Sequence, residues 1–151
     1  MIPHTIRPAR QGDLPQLHTL IKALSAYHGD VATVTLQETQ ALFFDRGAPA
    51  RAFLAETTTA GVIGYAAVVE RVRLHTGERA LDVQQLYVRE RFRSQCVGRS
   101  LVAAAVAEGR ARGCAGLSIG THPNNRGAQA AYRAMGLDEA APIGPRFRLA
   151  L

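Results

Sequence analysis

The sequence of 151 residues contains no tryptophan, only two cysteines, and no apolar run that approaches the ~20 residues of a membrane-spanning helix. Cys96 and Cys114 are too few for a disulfide framework, and neither lies beside histidines as the ligands of a zinc site do. The five histidines show no metal-ligand spacing. We therefore expect no membrane span, no disulfide-stapled fold and no metal.

Aromatic residues are also scarce, at 6%, and they do not interleave with basic residues as a stacking surface for nucleic acid would require. The net charge of +6 comes largely from arginines that are spread from Arg7 to Arg148. This distribution favours an anionic small molecule over nucleic acid as the partner. The first residues, MIPHTIRPAR, lack the apolar stretch of a signal peptide, so we expect a cytoplasmic protein.

The order of elements predicts a single α/β domain over residues 1–151, a usual length for one domain. Capping boxes at Asp13–Gln16 and Thr35–Glu38 predict two N-terminal helices. An antiparallel meander follows, and Gly64 lies inside its middle strand as at a bulge. The predicted strands are 4–8, 52–56, 62–73, 80–88, 116–120 and 146–151, and the later helices are 98–112 and 125–135.

The stretch RFRSQCVGRSLV, residues 91 to 102, leads from a strand through a basic turn into a helix. A helix N-terminus presents unpaired N–H groups and the positive end of the helix dipole, and it therefore binds phosphate. Arg91, Arg93 and Arg99 would add charge-assisted hydrogen bonds. A solvated basic turn would explain the charge alone, but the sequence of strand, turn, Gly98 and helix favours a phosphate site.

Two segments resemble the GNAT family of N-acetyltransferases. LYVRERFRSQCVGRSLV is similar to the acyl-CoA-binding motif, Arg/Gln-x-x-Gly-x-Gly/Ala, except that Cys96 stands at the first glycine. NNRGAQAAYRAMGL is similar to a second signature, with Asn125, Ala128, Tyr132 and Gly136 at the family's offsets. The resemblance implies the single-domain acyl-CoA N-acyltransferase fold, with a mixed sheet of six to seven strands, helices on both faces, and strands 80–88 and 116–120 parallel and diverging.

The resemblance also implies acetyl-CoA as co-substrate, with no metal. Pantetheine would run along the strand that holds Leu86, and the diphosphate would bind the amides of residues 93–99. Asn125 and Tyr132 would flank the thioester. The implied cofactor-binding residues are Leu86, Tyr87, Val88, Arg93, Ser94, Gln95, Cys96, Val97, Gly98, Arg99, Asn125, Ala128 and Tyr132.

Direct transfer requires a neutral amine, a polarised carbonyl and a proton for the thiolate. The resemblance assigns the proton to Tyr132 as general acid, and carbonyl polarisation to the main-chain N–H near Val88. Gln84 stands where many relatives have a glutamate that acts as the general base. The side-chain amide of Gln84 cannot accept a proton near neutral pH. Gln84 could orient a water or bind substrate. Glu70, Asp82 or a tyrosine could act as base, or the acceptor amine could have a low pKa.

Cys96 allows two interpretations. A helix N-terminus lowers the pKa of a thiol, which would suit a nucleophile. The family transfers directly, however, and its phosphates lie far from the thioester. We therefore expect the Cys96 amide to bind phosphate while the thiol plays no part in the chemistry.

The acceptor is less well defined. LIKALSAYHGD, residues 20 to 30, resembles the diamine acetyltransferase branch, so we assign Tyr27, His28 and Gln84 to substrate binding. The expected partner is a small primary amine, namely a diamine, a polyamine or an amino-acid-like molecule. The alternatives are a protein or peptide N-acetyltransferase and a catalytically weakened acyl-CoA-binding protein. The sequence leaves monomer and homodimer open.

Overall fold

The structure is a computed structural model that describes all residues from Met1 to Leu151. The chain has an α/β fold and divides into two compact units, Met1–Gly120 and Thr121–Leu151. The first unit contains β1 (Thr5–Pro8), α1 (Leu14–Tyr27), α2 (Leu36–Phe43), β2 (Ala50–Thr57), β3 (Gly61–Arg73), β4 (Glu78–Val88), α3 (Val97–Ala111) and β5 (Gly116–Ile119). The second unit contains α4 (Arg126–Ala134).

The sheet has five strands in the order β1-β2-β3-β4-β5. The first four pair antiparallel, whereas β4 and β5 run parallel, as predicted. The expected count of six or seven strands was too high, and the predicted strand 146–151 is wrong. Those residues are exposed and form no backbone hydrogen bonds, because alternating side chains cannot make a strand without a partner for the backbone.

Helices cover both faces of the sheet in the first unit. On one face, Leu17 and Leu20 of α1 pack in a buried cluster with Leu54 and Tyr65 of the sheet. On the other face, Leu101 of α3 and its neighbours pack against Ile63, Val68, Leu81 and Val83. The central strand β3 is therefore buried from both sides, and the two clusters hold β4 between α1 and α3.

The two predicted capping boxes have different outcomes. Thr35 accepts the Glu38 N–H at 3.1 Å, and Glu38 accepts the Thr35 N–H at 2.7 Å, so this box is confirmed. The box at Asp13 was wrong, because Asp13 makes no side-chain cap. Its carboxylate instead accepts from the Arg7 guanidinium and from the Arg10 N–H, which ties the end of β1 to the start of α1.

Two irregularities shape the middle strands. The β2–β3 register shifts between Ala55 and Glu56, opposite Gly64, as the glycine predicted. The β3–β4 register shifts between Ala67 and Val68, and Gln84 is the residue of β4 left without a partner. No helix is long and apolar enough to cross a bilayer, and no three potential metal ligands lie together.

Candidate active site

The C-terminal half of β4 has an open edge. β5 pairs with β4 only from Ala80 to Val83, whereas β4 continues to Val88. The pairing ends next to Gln84, the unpaired residue of the β4 irregularity. Residues 84–88 thus have β3 on one side and no strand on the other. β5 ends at this point, so no strand pairs with the backbone of residues 84–88 on that side.

The backbone N–H of Val88 points towards this open edge. Val88 lies opposite Gly64, and the next N–H, that of Arg89, donates to Ile63 O at 2.9 Å. In an antiparallel ladder this arrangement makes Gly64–Val88 a non-hydrogen-bonded pair, so the N–H and C=O of Val88 face away from β3. Leu86, two residues earlier, has the same orientation. Val88 therefore has a fixed backbone N–H donor on the open edge.

Gly64 sets the position of this donor. A Cβ atom at Gly64 would lie 2.6 Å from Tyr87 O and 3.2 Å from the Cα of Val88. Both contacts are with backbone, which has little room to move because β4 is packed on both faces. Gly64 is therefore needed so that β3 can approach β4 closely beside Val88. The sequence indicated a bulge at Gly64 but not this contact.

Six consecutive amides are free in the turn that follows. The Arg93 N–H donates to Glu90 O at 3.1 Å, and the next bonded amide is that of Ser100, which donates to Cys96 O. The amides of residues 94–99 have no acceptor within the protein. They include the first turn of α3, where the helix dipole is positive, and free amides in such a position are able to bind an anion.

The turn needs left-handed backbone at two non-glycine residues. Ser94 has φ 59° and Cys96, at the N-cap of α3, has φ 65° and ψ 3°. This region disfavours residues with a Cβ atom, by roughly 1–2 kcal/mol. It explains why the family motif has glycine at this position. The Cys96 side chain is exposed, while Val97 beside it is buried and anchors the helix.

The Arg93 side chain turns towards α1. Its Nε donates to Val88 O at 2.9 Å. Its guanidinium lies 4.3 Å from the Tyr27 ring centroid and 5.7 Å from that of Tyr87. The structure thus brings together Arg93 and Tyr87, predicted for the cofactor, with Tyr27, predicted for the substrate. His28 lies beside Tyr27 with the ring centroids 5.6 Å apart.

The two carboxylates considered as base, Glu70 and Asp82, have arginine partners. Glu70 accepts from Arg79 Nε at 2.6 Å and from Arg112 Nε at 2.9 Å, and these bonds lower the pKa of Glu70 to about 2. Asp82 accepts from Arg71 and from the Ser118 hydroxyl. Glu70 is therefore a poor proton acceptor, and the Asp82 carboxylate is already occupied by its two partners, so neither residue suits the role of base.

Gln84 itself is exposed at the β4 irregularity. Its neighbour Gln85 accepts the hydroxyl proton of Tyr65 at 2.9 Å. Tyr65 is fully buried, and burial raises its pKa well above the usual range, so it remains a neutral donor. The sequence had not indicated this pair, because nothing in the spacing links Tyr65 to Gln85.

The second unit contains the other predicted residues. Asn125 caps α4 by accepting the Ala128 N–H at 3.0 Å, and Gly136 closes the helix with φ 88°. Tyr132 lies two turns after Asn125, on the same face of the helix. It is partly buried, and this burial raises the pKa of its hydroxyl. The hydroxyl thus keeps its proton at higher pH than an exposed tyrosine does.

Comparisons with known proteins identify the family of this chain. The family model described as "Acetyltransferase (GNAT) family" matches residues 17–137. The chain therefore belongs to the GNAT acetyltransferase family and is an acetyl-CoA-dependent N-acetyltransferase. No curated protein matches it by sequence.

Several solved structures share the fold. An aminoglycoside acetyltransferase from an uncultured soil metagenomic sample, meta-AAC0020, has a TM-score of 0.82 at 16% identity over 97% of both chains. AAC(6')-Iy, solved with a CoA-containing bisubstrate analogue, has a TM-score of 0.80 at 23% identity over 98% of this chain and 100% of its own. The ribosomal-protein-alanine N-acetyltransferase of Brucella melitensis has a TM-score of 0.73 at 16% identity over 99% and 100%.

Proposed function

We propose that this chain, acting as one N-acetyltransferase domain, transfers the acetyl group of acetyl-CoA directly to a primary amine of a small molecule. One observation carries the proposal. The free N–H of Val88, on the open edge of β4, is followed after the short segment 89–93 by the six free amides of residues 94–99. An N–H donor for the thioester carbonyl and a set of amides for the diphosphate thus lie on one continuous backbone segment. They correspond to the thioester and the diphosphate of an acyl-CoA.

Residues 94–99 would hold the diphosphate mainly through backbone N–H groups. The exposed Arg99, on the first turn of α3, would add charge. Pantetheine would lie along the open edge beside Leu86 and Val88. The left-handed backbone of Cys96 supports the view that its amide takes the role of the family's glycine amide, with the thiol outside the chemistry.

In the proposed reaction, the acceptor nitrogen attacks the thioester carbonyl while the Val88 N–H stabilises the oxyanion. The C–S bond then breaks, and the thiolate takes a proton from the hydroxyl of Tyr132. The proton lost by the amine goes to water, which Gln84 orients, and the Tyr132 phenolate regains a proton from solvent. The paired states of Glu70 and Asp82 support this assignment, since neither carboxylate is free to act as base.

The acceptor would bind beside Tyr27 and His28 at the end of α1. Diamines, polyamines and amino-acid-like amines are the candidates suggested by the resemblance. The name of meta-AAC0020 gives aminoglycosides as its acceptors, and AAC(6')-Iy was solved with a CoA-linked acetylneamine analogue, which supports a small amine. The name of a third gives a ribosomal protein, so a peptide acceptor is the alternative. Gln84 favours a further alternative, an acyl-CoA-binding protein with weak activity.

A panel of amines tests the proposal. We would measure CoA release and the acetylated product with purified protein, acetyl-CoA, and small amines or peptides with a free N-terminus. Turnover of small amines supports the proposal, whereas turnover of peptides alone would favour the first alternative. Tight binding of acetyl-CoA without turnover of any amine would favour the second and overturn the proposal.

A further inference from the structure

The guanidinium of Arg93 is held in a fixed position but has unused donors. Its Nε bonds Val88 O, and the group lies against the rings of Tyr27 and Tyr87. Neither terminal nitrogen has a hydrogen-bond or salt-bridge partner in the structure. The side chain is only half-buried, so these nitrogens can be reached from solvent. Because the planar Arg93 guanidinium is already immobilised, it would lose little further conformational entropy on binding a carboxylate.

Arg93 combines two aromatic contacts and a side-chain hydrogen bond to backbone with the absence of an ion pair. Six carboxylates of residues 1–120 bond to other arginines instead. They are Asp13, Glu56, Glu70, Glu78, Asp82 and Glu108. The positive charge of Arg93 is therefore not neutralised by the protein and is available to a ligand.

The position of Arg93 favours the acceptor over the diphosphate as that ligand. Tyr87 packs against the cluster on the α1 face, and Tyr27 ends α1. The Arg93 guanidinium therefore lies on the face where Tyr27 and His28 are expected to bind substrate. It is also bonded to the carbonyl of Val88, the residue whose N–H would polarise the thioester. The diphosphate already has six amides and Arg99.

We propose that the Arg93 fork binds a carboxylate of the acceptor, so that the substrate is an amino-acid-like amine and not a diamine or polyamine. This inference rests on the proposed function and narrows its acceptor class. The carboxylate would pair with the two terminal nitrogens, which fixes the amine end of the molecule near Val88. The same charge would repel a second ammonium group, which a polyamine would bring to this place.

Matched acceptors test this inference. Amino acids, lysine included, would be compared with their amides, and lysine also with cadaverine, which lacks only the carboxylate. We expect kcat/KM of the wild-type protein to favour the acid form by about 10- to 100-fold, as charge-assisted bonds to a carboxylate allow. Arg93→Gln should remove most of that preference by raising KM for the acids, while Arg93→Lys should restore only part of it.

The controls separate the acceptor from the cofactor. Arg46→Gln removes an exposed arginine without an ion pair and should leave the preference unchanged. The acetyl-CoA Kd of Arg93→Gln should stay within about threefold of wild type, a change of less than 1 kcal/mol. Equal turnover of acids and amides by the wild-type protein would overturn the inference while the proposed function stands. The inference would also be overturned if Arg93→Gln lowered kcat/KM equally for all acceptors and weakened acetyl-CoA binding. Turnover of no amine at all would refute the proposed function itself.

Discussion

Tyr132 is the residue whose hydroxyl we expect to protonate the departing thiolate. Tyr132→Phe retains the ring and its packing but removes the proton donor, so the fold and acetyl-CoA affinity should be kept. General-acid catalysis contributes about 10²- to 10⁴-fold, and kcat should fall within that range. Burial raises the pKa of Tyr132, so the alkaline limb of the wild-type profile should lie above the ordinary ~10 and vanish in the variant.

Pre-steady-state measurements of acetyl transfer at several pH values provide the check. Thermal unfolding of both proteins serves as the control for folding. An unchanged rate of the chemical step in Tyr132→Phe would leave Tyr132 as a packing residue only.

A second prediction at the level of a single residue concerns Gln84. Without a carboxylate base, the enzyme depends on acceptor that is already neutral, so the acidic limb of kcat/KM should follow the pKa of each acceptor amine. Gln84→Glu introduces a base at an exposed position next to the open edge. It should raise kcat/KM near neutral pH for amines of high pKa, by about 10-fold or more.

The pH profiles of two acceptors with different amine pKa values test this account. Gln85→Glu is the matched control, because that residue accepts from Tyr65 and would disturb the pair without supplying a base at position 84. A wild-type acidic limb at the same pH for both acceptors would indicate a base in the protein and contradict the account.

At the level of the element, the close approach of β3 and β4 can be tested at Gly64. A methyl group there would meet Tyr87 O at 2.6 Å and displace the end of β4. Gly64→Ala should lower the free energy of unfolding by about 1–3 kcal/mol, as overpacking usually does, and lower kcat more than the acetyl-CoA affinity. Gly12→Ala, where nothing lies within 4 Å, is the control. Chemical denaturation and steady-state kinetics give both quantities, and full activity in Gly64→Ala would be inconsistent with a fixed Val88 donor.

The turn before α3 gives a second prediction at this level. Because Cys96 has φ 65°, Cys96→Gly should stabilise the protein by about 1 kcal/mol and keep or improve acetyl-CoA binding. Cys96→Ser keeps the Cβ atom and should change neither quantity much. Calorimetry measures the affinity and denaturation the stability. Loss of turnover in both variants, with binding intact, would restore the covalent role of Cys96.

Local patterns predicted the elements whose signals lie within a few residues. The meander, the entry to α3 and the Asn125 cap of α4 are of this kind. The sequence could not predict the position of Arg93 between Tyr27 and Tyr87, because the packing of α1 on the sheet brings these residues together. The predicted strand at 146–151 was wrong because an alternating pattern favours a strand but does not provide a neighbouring strand with which it can pair.

For the whole molecule, we expect acetyl-CoA binding and acetyl transfer to occur on this one chain. Backbone amides and Arg99 would hold the diphosphate, so affinity should fall as salt is added. Titration of acetyl-CoA at several salt concentrations measures this dependence. The effect should be moderate, because six of the donors are neutral amides.

The central claim is direct acetyl transfer to a small amine, and single-turnover mass spectrometry tests it most directly. Excess protein would be mixed with acetyl-CoA and an amine that the panel identifies, then quenched at intervals. We predict that CoA and acetylated amine appear together in equal amounts, while the mass of the protein never rises by an acetyl group. An acetylated protein that forms and decays at the rate of turnover, or CoA release without acetylated amine, would contradict the account.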